Sequence, residues 1–210
     1  MDRRSALKNI GKAAGFAVAT PSIMSILASC NSDVATWQPT YFSTTQGHMI
    51  RHLVDIIIPK GKLPGGLEVN IPEFMDIMFR DVEDIEDQKK FTKAAEVFEA
   101  KFKEIHGKDA IKGKKEEYHE LLDTYFKISE DEREVIFEDL RKDINEIIKP
   151  ENVERYHIYH FLTTVRRYAL DGYFTSEKIG EEILAYDPIP GGFVPCGSLE
   201  ELTGGKSWSL

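Results

Sequence analysis

Through most of residues 45–186 the apolar side chains recur at intervals of three and four, and no long stretch shows the alternation that a half-buried strand requires. An all-α fold follows: a single domain of about seven helices, without internal repeat, ending in a Pro/Gly-rich tail. Met49, Ile50, Leu53, Val54, Ile57 and Ile58 line one face of a first helix, which Pro59 stops. The loop "PKGKLPGGLEVNIP" carries Pro/Gly turn signals. Pro72 suits the first position of the next helix, where Phe74, Ile77, Met78 and Val82 share a face. Phe91, Ala95, Phe98 and Phe102 mark a third helix closed by Gly107, and another spans Lys114 to Lys127.

Ser129 followed by Glu132 is a capping box, which fixes a helix start. Its apolar face is Val135, Ile136, Leu140, Ile144, Ile147 and Ile148, up to Pro150. Residues 151–172 form a long aromatic helix with Ile158, Phe161, Leu162, Val165 and Ala169 on one face, ended by Gly172. Thr175 or Ser176 starts a short helix to about Tyr186, and the tail "DPIPGGFVPCGSLEELTGGKSWSL" is ordered only if it packs on something.

The first thirty residues have a different character. Arg3, Arg4, Lys8 and Lys12 precede an apolar stretch from Ala13 to Leu27 that Gly15, Thr20, Pro21 and Ser22 dilute. A spanning helix wants about 20 largely apolar residues, so a signal peptide over residues 1–29 fits better. "RRSALK" resembles the twin-arginine (Tat) export pattern, with Ala6 where Phe is usual. Leu27-Ala28-Ser29-Cys30 reads as a lipobox, with Cys30 as the lipidated residue, and residues 30–44 as a tether to a domain over 45–210. The expected location is the periplasmic side of a membrane.

Arg3, Arg4, Lys8 and Lys12 against Asp2 give residues 1–29 a net of +3, so without them the charge moves from −9 to −12. Such acidity argues against nucleic acid or anionic lipid as a partner. If Cys30 is lipidated, Cys196 has no partner for a disulfide, and about 180 residues suffice to bury one core without one.

Motifs for chemistry are sparse. Neither a dinucleotide-binding Gly-x-Gly-x-x-Gly nor a P-loop occurs, so no cofactor is expected in this chain. His48 with His52, and His157 with His160, could each share a helical face, and four imidazoles could hold a metal. No Glu-x-x-His accompanies them, and hydrogen-bonded, partly buried histidines are the plainer account, so no metal site is assigned. The Glu- and Asp-rich runs read as solvated helix faces. Arg166 and Arg167, next to Tyr168, could bind an anion or a partner's acidic groups, but ion pairs with Asp171 or Glu154 are the expected role. No nucleophile has an evident base, so no catalytic residue is assigned.

Two blocks carry a resemblance. "VDIIIPKGKLPGGLEVNIPEFMDIM" and "LDGYFTSEKIGEEILAYDPIPGGFVPC" are similar to blocks in the small (third) subunit family of membrane-associated gluconate 2-dehydrogenases. Lys60-Gly61-Lys62 replaces the Asp/Thr-rich turn common there. The likeness covers about residues 45–85 and 155–210, and residues 86–150 show no family feature.

The resemblance implies a helical, non-catalytic subunit. Its large partner would be a glucose–methanol–choline type flavoprotein that holds FAD, oxidises a sugar, sugar acid or glycoside, and passes electrons to an acceptor such as a cytochrome c. The small subunit would serve maturation and export of that partner. Tyr173, Phe174, Tyr186, Phe193 and Trp208 are the expected interface anchors, because aromatics dominate interface hot spots. The "KLPGGLEV" loop and the tail are expected to lie on the partner too. The other readings are a free-standing lipoprotein binding module, for example for a glycan, and a small helical metal or haem protein using the histidine pairs.

Overall fold

The computed structural model describes residues 37–142, 149–189, 191–192 and 194–209. Arg3, Arg4, Cys30, Ile144, Ile147, Ile148 and Phe193 lie outside them. Eight α-helices form among the described residues: α1 Thr44–Ile57, α2 Ile71–Asp81, α3 Ile85–His106, α4 Lys115–Phe126, α5 Glu130–Leu140, α6 Val153–Phe174, α7 Glu177–Glu182 and α8 Leu199–Thr203. Short 3-10 turns cover Gly66–Val69, Ala110–Lys112 and Pro150–Asn152. The fold is all-α. Among the described residues the one extended pairing is an isolated bridge between Ala185 and Trp208.

Local chemistry sets the helix starts. The Ser129 hydroxyl accepts from the Glu132 amide, and Glu132 accepts from the Ser129 amide at 3.1 Å, the reciprocal box expected from the sequence. Ser43 and Gln46 form a second such box at α1, with the Gln46 amide donating to Ser43 Oγ at 3.1 Å. Asp84 caps α3 through the amides of Glu86 and Asp87. Gly107 ends α3 at φ 67°, a left-handed conformation that costs glycine little.

Helix α6 is the centre of the bundle, with α1, α2, α3 and α5 packed on it and α4 packed on α1. Ile158, Phe161, Leu162, Val165 and Ala169 of α6 are buried, as are Phe91, Ala95, Phe98 and Phe102 of α3. Phe161 meets Phe98 at a ring-centroid distance of 4.9 Å and Phe91 at 5.3 Å. Such tilted aromatic pairs add about 0.5–1.5 kcal/mol each beyond the area they bury.

Four expectations need correction. Helix α2 buries Ile71, Pro72, Met75, Asp76 and Phe79, while Ile77 and Val82 are exposed, Val82 at 64%. The inward stripe includes a carboxylate, so a pattern drawn from apolar residues alone was rotated off it. On α5 only Ile136 is buried, and Val135 faces solvent. Gly172 does not end α6, which continues to Phe174. Helix α7 stops at Glu182, well short of Tyr186, because the chain turns out there toward the Ala185 bridge.

The expected tether is also partly domain. Phe42 is buried, with its ring 5.3 Å from Phe79 and 5.5 Å from Phe91. The compact unit begins at Pro39 rather than residue 45.

Candidate functional site

The two sequence blocks singled out above lie against each other. Tyr173 Oη, from the end of α6, donates to the Pro64 carbonyl at 2.9 Å across 109 residues of sequence. One residue earlier, a Cβ on Gly172 would sit 2.6 Å from Phe74 Cδ1 and 3.0 Å from Ile71 Cδ1. Gly172 is thus the small residue that lets α6 and the start of α2 touch, a packing role and not a helix stop.

The "PKGKLPGG" turn is held by the same packing. The Gly66 amide donates to the Ile58 carbonyl at 2.9 Å, and a Cβ on Gly66 would meet Val54 Cγ1 at 2.6 Å. Glu68 accepts from the Gly65 amide and pairs with Lys60 Nζ at 2.6 Å. The Lys60 hydrogen bond, then that of Gly65, hold the Glu68 carboxyl below its usual range. Gly65 and Gly66 are buried, so this part of the loop serves the fold. Residues 59–63, with the tip at Gly61 to Leu63, are the exposed part.

Beside this loop, a cleft of about 450 Å³ separates the Gly66–Val69 turn from α7 and is lined by Glu68, Asn70, Glu177, Glu181 and Glu182 with Lys178. The tail then returns. The Ala185 amide donates to the Ser207 carbonyl at 2.9 Å and the Ser209 amide to the Ala185 carbonyl at 2.8 Å. These bonds set Trp208 beside Ala185 and its neighbour Tyr186.

The expected anchors divide on inspection. Tyr173 is 8% exposed and its hydroxyl is committed to Pro64, so it belongs to the core and is not available to a partner. Phe174, Tyr186 and Trp208 are 44%, 51% and 49% exposed. Between residues 181 and 209 no described residue is buried, yet Tyr186, Ile189, Val194, Leu199, Leu202 and Trp208 all show large apolar area to solvent. A tail with a capped helix and a backbone bridge but no interior is a surface of the kind that partners cover.

The histidines occupy two separate settings. His48 and His52 meet at 4.5 Å between ring centroids; His52 stacks on Tyr118, and His48 Nε2 lies 3.0 Å from the Gly113 carbonyl. His160 stacks on Tyr156, while His157 Nδ1 is buried with no hydrogen-bond partner. Burial, then the neighbouring histidine, pushes His52 and His160 below the usual imidazole range, and burial does the same to His157. Among the described residues no group of three or more His, Cys, Asp or Glu side chains is placed to hold a metal ion.

Arg167 departs from expectation. It pairs with Glu83 at 3.6 Å and covers the Tyr168 ring at 4.6 Å, while Glu154 pairs with Lys101. Asp76 is a site that hydrophobic periodicity passes over, although a lone Asp within an apolar helical stripe is its signal. Its carboxylate accepts from the Thr40, Tyr41 and Phe42 amides and the Thr40 hydroxyl.

Comparison with known proteins gives one match. The family model described as gluconate 2-dehydrogenase subunit 3 matches residues 44–191. No curated protein and no solved structure matches the chain. The matched stretch takes in α1 to α7 and includes residues 86–150, where the sequence showed no family feature. The chain therefore belongs to the gluconate 2-dehydrogenase subunit 3 family.

Proposed function

We propose that this chain is the non-catalytic accessory subunit of a flavin-dependent sugar, sugar-acid or glycoside dehydrogenase, and that it docks on a large FAD-holding subunit of the glucose–methanol–choline type. One observation carries the reading: among the described residues from 181 to 209 none is buried, and six expose large apolar side chains. Such area is costly to leave in water. Among the described residues Phe174, Tyr186 and Trp208 are the anchors that remain once Tyr173 is assigned to the core, and Leu63 at the loop tip is exposed as well.

In this reading Arg3 and Arg4 direct export by the twin-arginine route, which carries folded proteins. The large subunit then crosses with its flavin already bound, and lipid at Cys30 holds the pair on the periplasmic side of a membrane. A cytochrome c is the natural electron acceptor. Association before export calls for a lasting interface, on the order of 2,000 Å² or more.

The test is to tag the chain in its native cell, extract membranes gently and examine what elutes with it. A stoichiometric yellow flavoprotein that is lost from the envelope when Arg3 and Arg4 become Lys is the expected result. A colourless, solitary lipoprotein overturns the proposal and favours a free-standing binding module.

A further inference from the structure

On a different side of α6, where α5 and the end of α4 approach it, lies a groove of about 420 Å³. Its walls are Phe126, Ile128, Ile136 and Phe137. Phe126 and Phe137 are each 44% exposed, so the groove is apolar and open to entry. The hydroxyls that reach it are already spent: Tyr159 Oη donates to the Tyr125 carbonyl, and Thr163 Oγ1 donates to the Tyr159 carbonyl at 2.6 Å.

Among the described residues the charged lining is Arg133 and Arg166, in a chain with 36 acidic and 27 basic side chains. Arg133 is paired with Glu130 one turn earlier. Arg166 makes no ion pair among the described residues and is exposed at the rim. The groove therefore presents an apolar trough with one uncompensated positive charge, and a guanidinium recognises a carboxylate by two parallel hydrogen bonds. Its volume falls at the small end of the range for small-molecule sites.

We infer that this groove binds a medium-chain aliphatic carboxylate, with the hydrocarbon chain along Phe126, Ile136 and Phe137 and the carboxylate at Arg166. Among the described residues a single net positive charge matches one carboxylate, and the lack of free hydroxyls or amides there disfavours a sugar. This site is independent of the tail surface described above.

The test is calorimetric titration of the full chain with dodecanoate below its micellar concentration, with dodecyltrimethylammonium as a probe of equal chain length and opposite charge. Saturable one-to-one binding of dodecanoate that the cationic probe does not displace is expected. Affinity should fall at least tenfold in Arg166→Gln and be lost in Phe137→Glu, while Trp208→Ala leaves it unchanged. No saturable binding, equal binding of the cation, or unchanged affinity in Arg166→Gln overturns the inference. Arg166 and Phe137 are both exposed, and circular dichroism verifies each fold. If Phe137→Glu does not fold, Arg166→Gln decides alone.

Discussion

Asp76 Oδ2 accepts two hydrogen bonds from Thr40, one from its amide and one from its hydroxyl, each at 2.7 Å. Oδ1 accepts the Tyr41 and Phe42 amides at 3.0 and 2.9 Å. One carboxylate in α2 thereby fixes the turn that inserts Phe42 into the core. Replacing Asp76 by Ala strands several donors, each worth about 1–3 kcal/mol where buried, and loosens Phe42. A loss of about 2–4 kcal/mol in urea unfolding is expected, with a smaller loss for Asp76→Asn, which keeps one acceptor oxygen.

The same carboxylate sets an acid limit. Burial raises its pKa, but the donors of Phe42, Thr40 and Tyr41 outweigh burial and hold it below the ordinary aspartate value, about 3.9 in model peptides. A carboxyl depressed in the folded state stabilises fully above the unfolded pKa and loses that contribution as pH falls through the folded one. The stability difference between wild type and Asp76→Asn should hold from pH 7 to about 5 and shrink below about pH 4. A difference that stays constant to pH 2.5 would contradict this account.

Helices α1, α3 and α6 were legible because their core positions are purely apolar and repeat for several turns. Phe91, Phe98, Phe161 and Val165 are buried where their spacing put them. Helix α2 was misaligned because Asp76 holds a core position that hydrophobic periodicity counts as polar. Glycine so often ends helices that Gly172 reads as a stop, whereas its reason here is a ring across the interface, at Phe74. Nothing local in the sequence encodes that contact. Tyr173 illustrates the same limit: its type suited an interface, and only the approach of Pro64 shows that its hydroxyl is in use.

Gly172→Ala tests that contact. In an exposed helix interior the change would stabilise by up to about 1 kcal/mol, but here the added methyl meets Phe74 and Ile71 at 2.6 and 3.0 Å. Overpacking of this kind costs about 1–3 kcal/mol. A net loss of about 1 kcal/mol or more is expected, with partial recovery in Gly172→Ala combined with Phe74→Leu. A gain in melting temperature for the single variant would show that the ring simply moves aside.

His52, His157 and His160 all titrate below the usual imidazole value because burial disfavours their charged forms. The unfolded chain then takes up protons first, near pH 6.5, so stability falls as pH drops from about 7 toward the folded-state values. His157→Leu removes a buried nitrogen that has no partner. It should be at least as stable as wild type at pH 7, within about 1 kcal/mol, and should lose less between pH 7 and 5. Melting temperatures across that range, compared between the two proteins, check both statements.

The tail makes the last prediction. Trp208 pairs with Ala185 in the isolated bridge and Tyr186 follows Ala185, each about half exposed, and no described core residue depends on them. Substituting both by Ala should leave the melting temperature of the isolated chain within about 0.5 kcal/mol equivalent of wild type, as is usual for exposed positions. If these rings anchor a partner, the same variant should lose at least tenfold in affinity for the co-purified subunit, since central aromatics at interfaces cost about 2 kcal/mol or more on truncation. Tyr173→Phe should behave in the opposite way: it removes the hydrogen bond to Pro64, costs about 1 kcal/mol of folding stability, and leaves partner affinity unchanged. Measuring stability by thermal denaturation and association by surface-immobilised capture separates a core tyrosine from interface aromatics. Equal affinity in all three proteins would place the partner surface elsewhere on the chain.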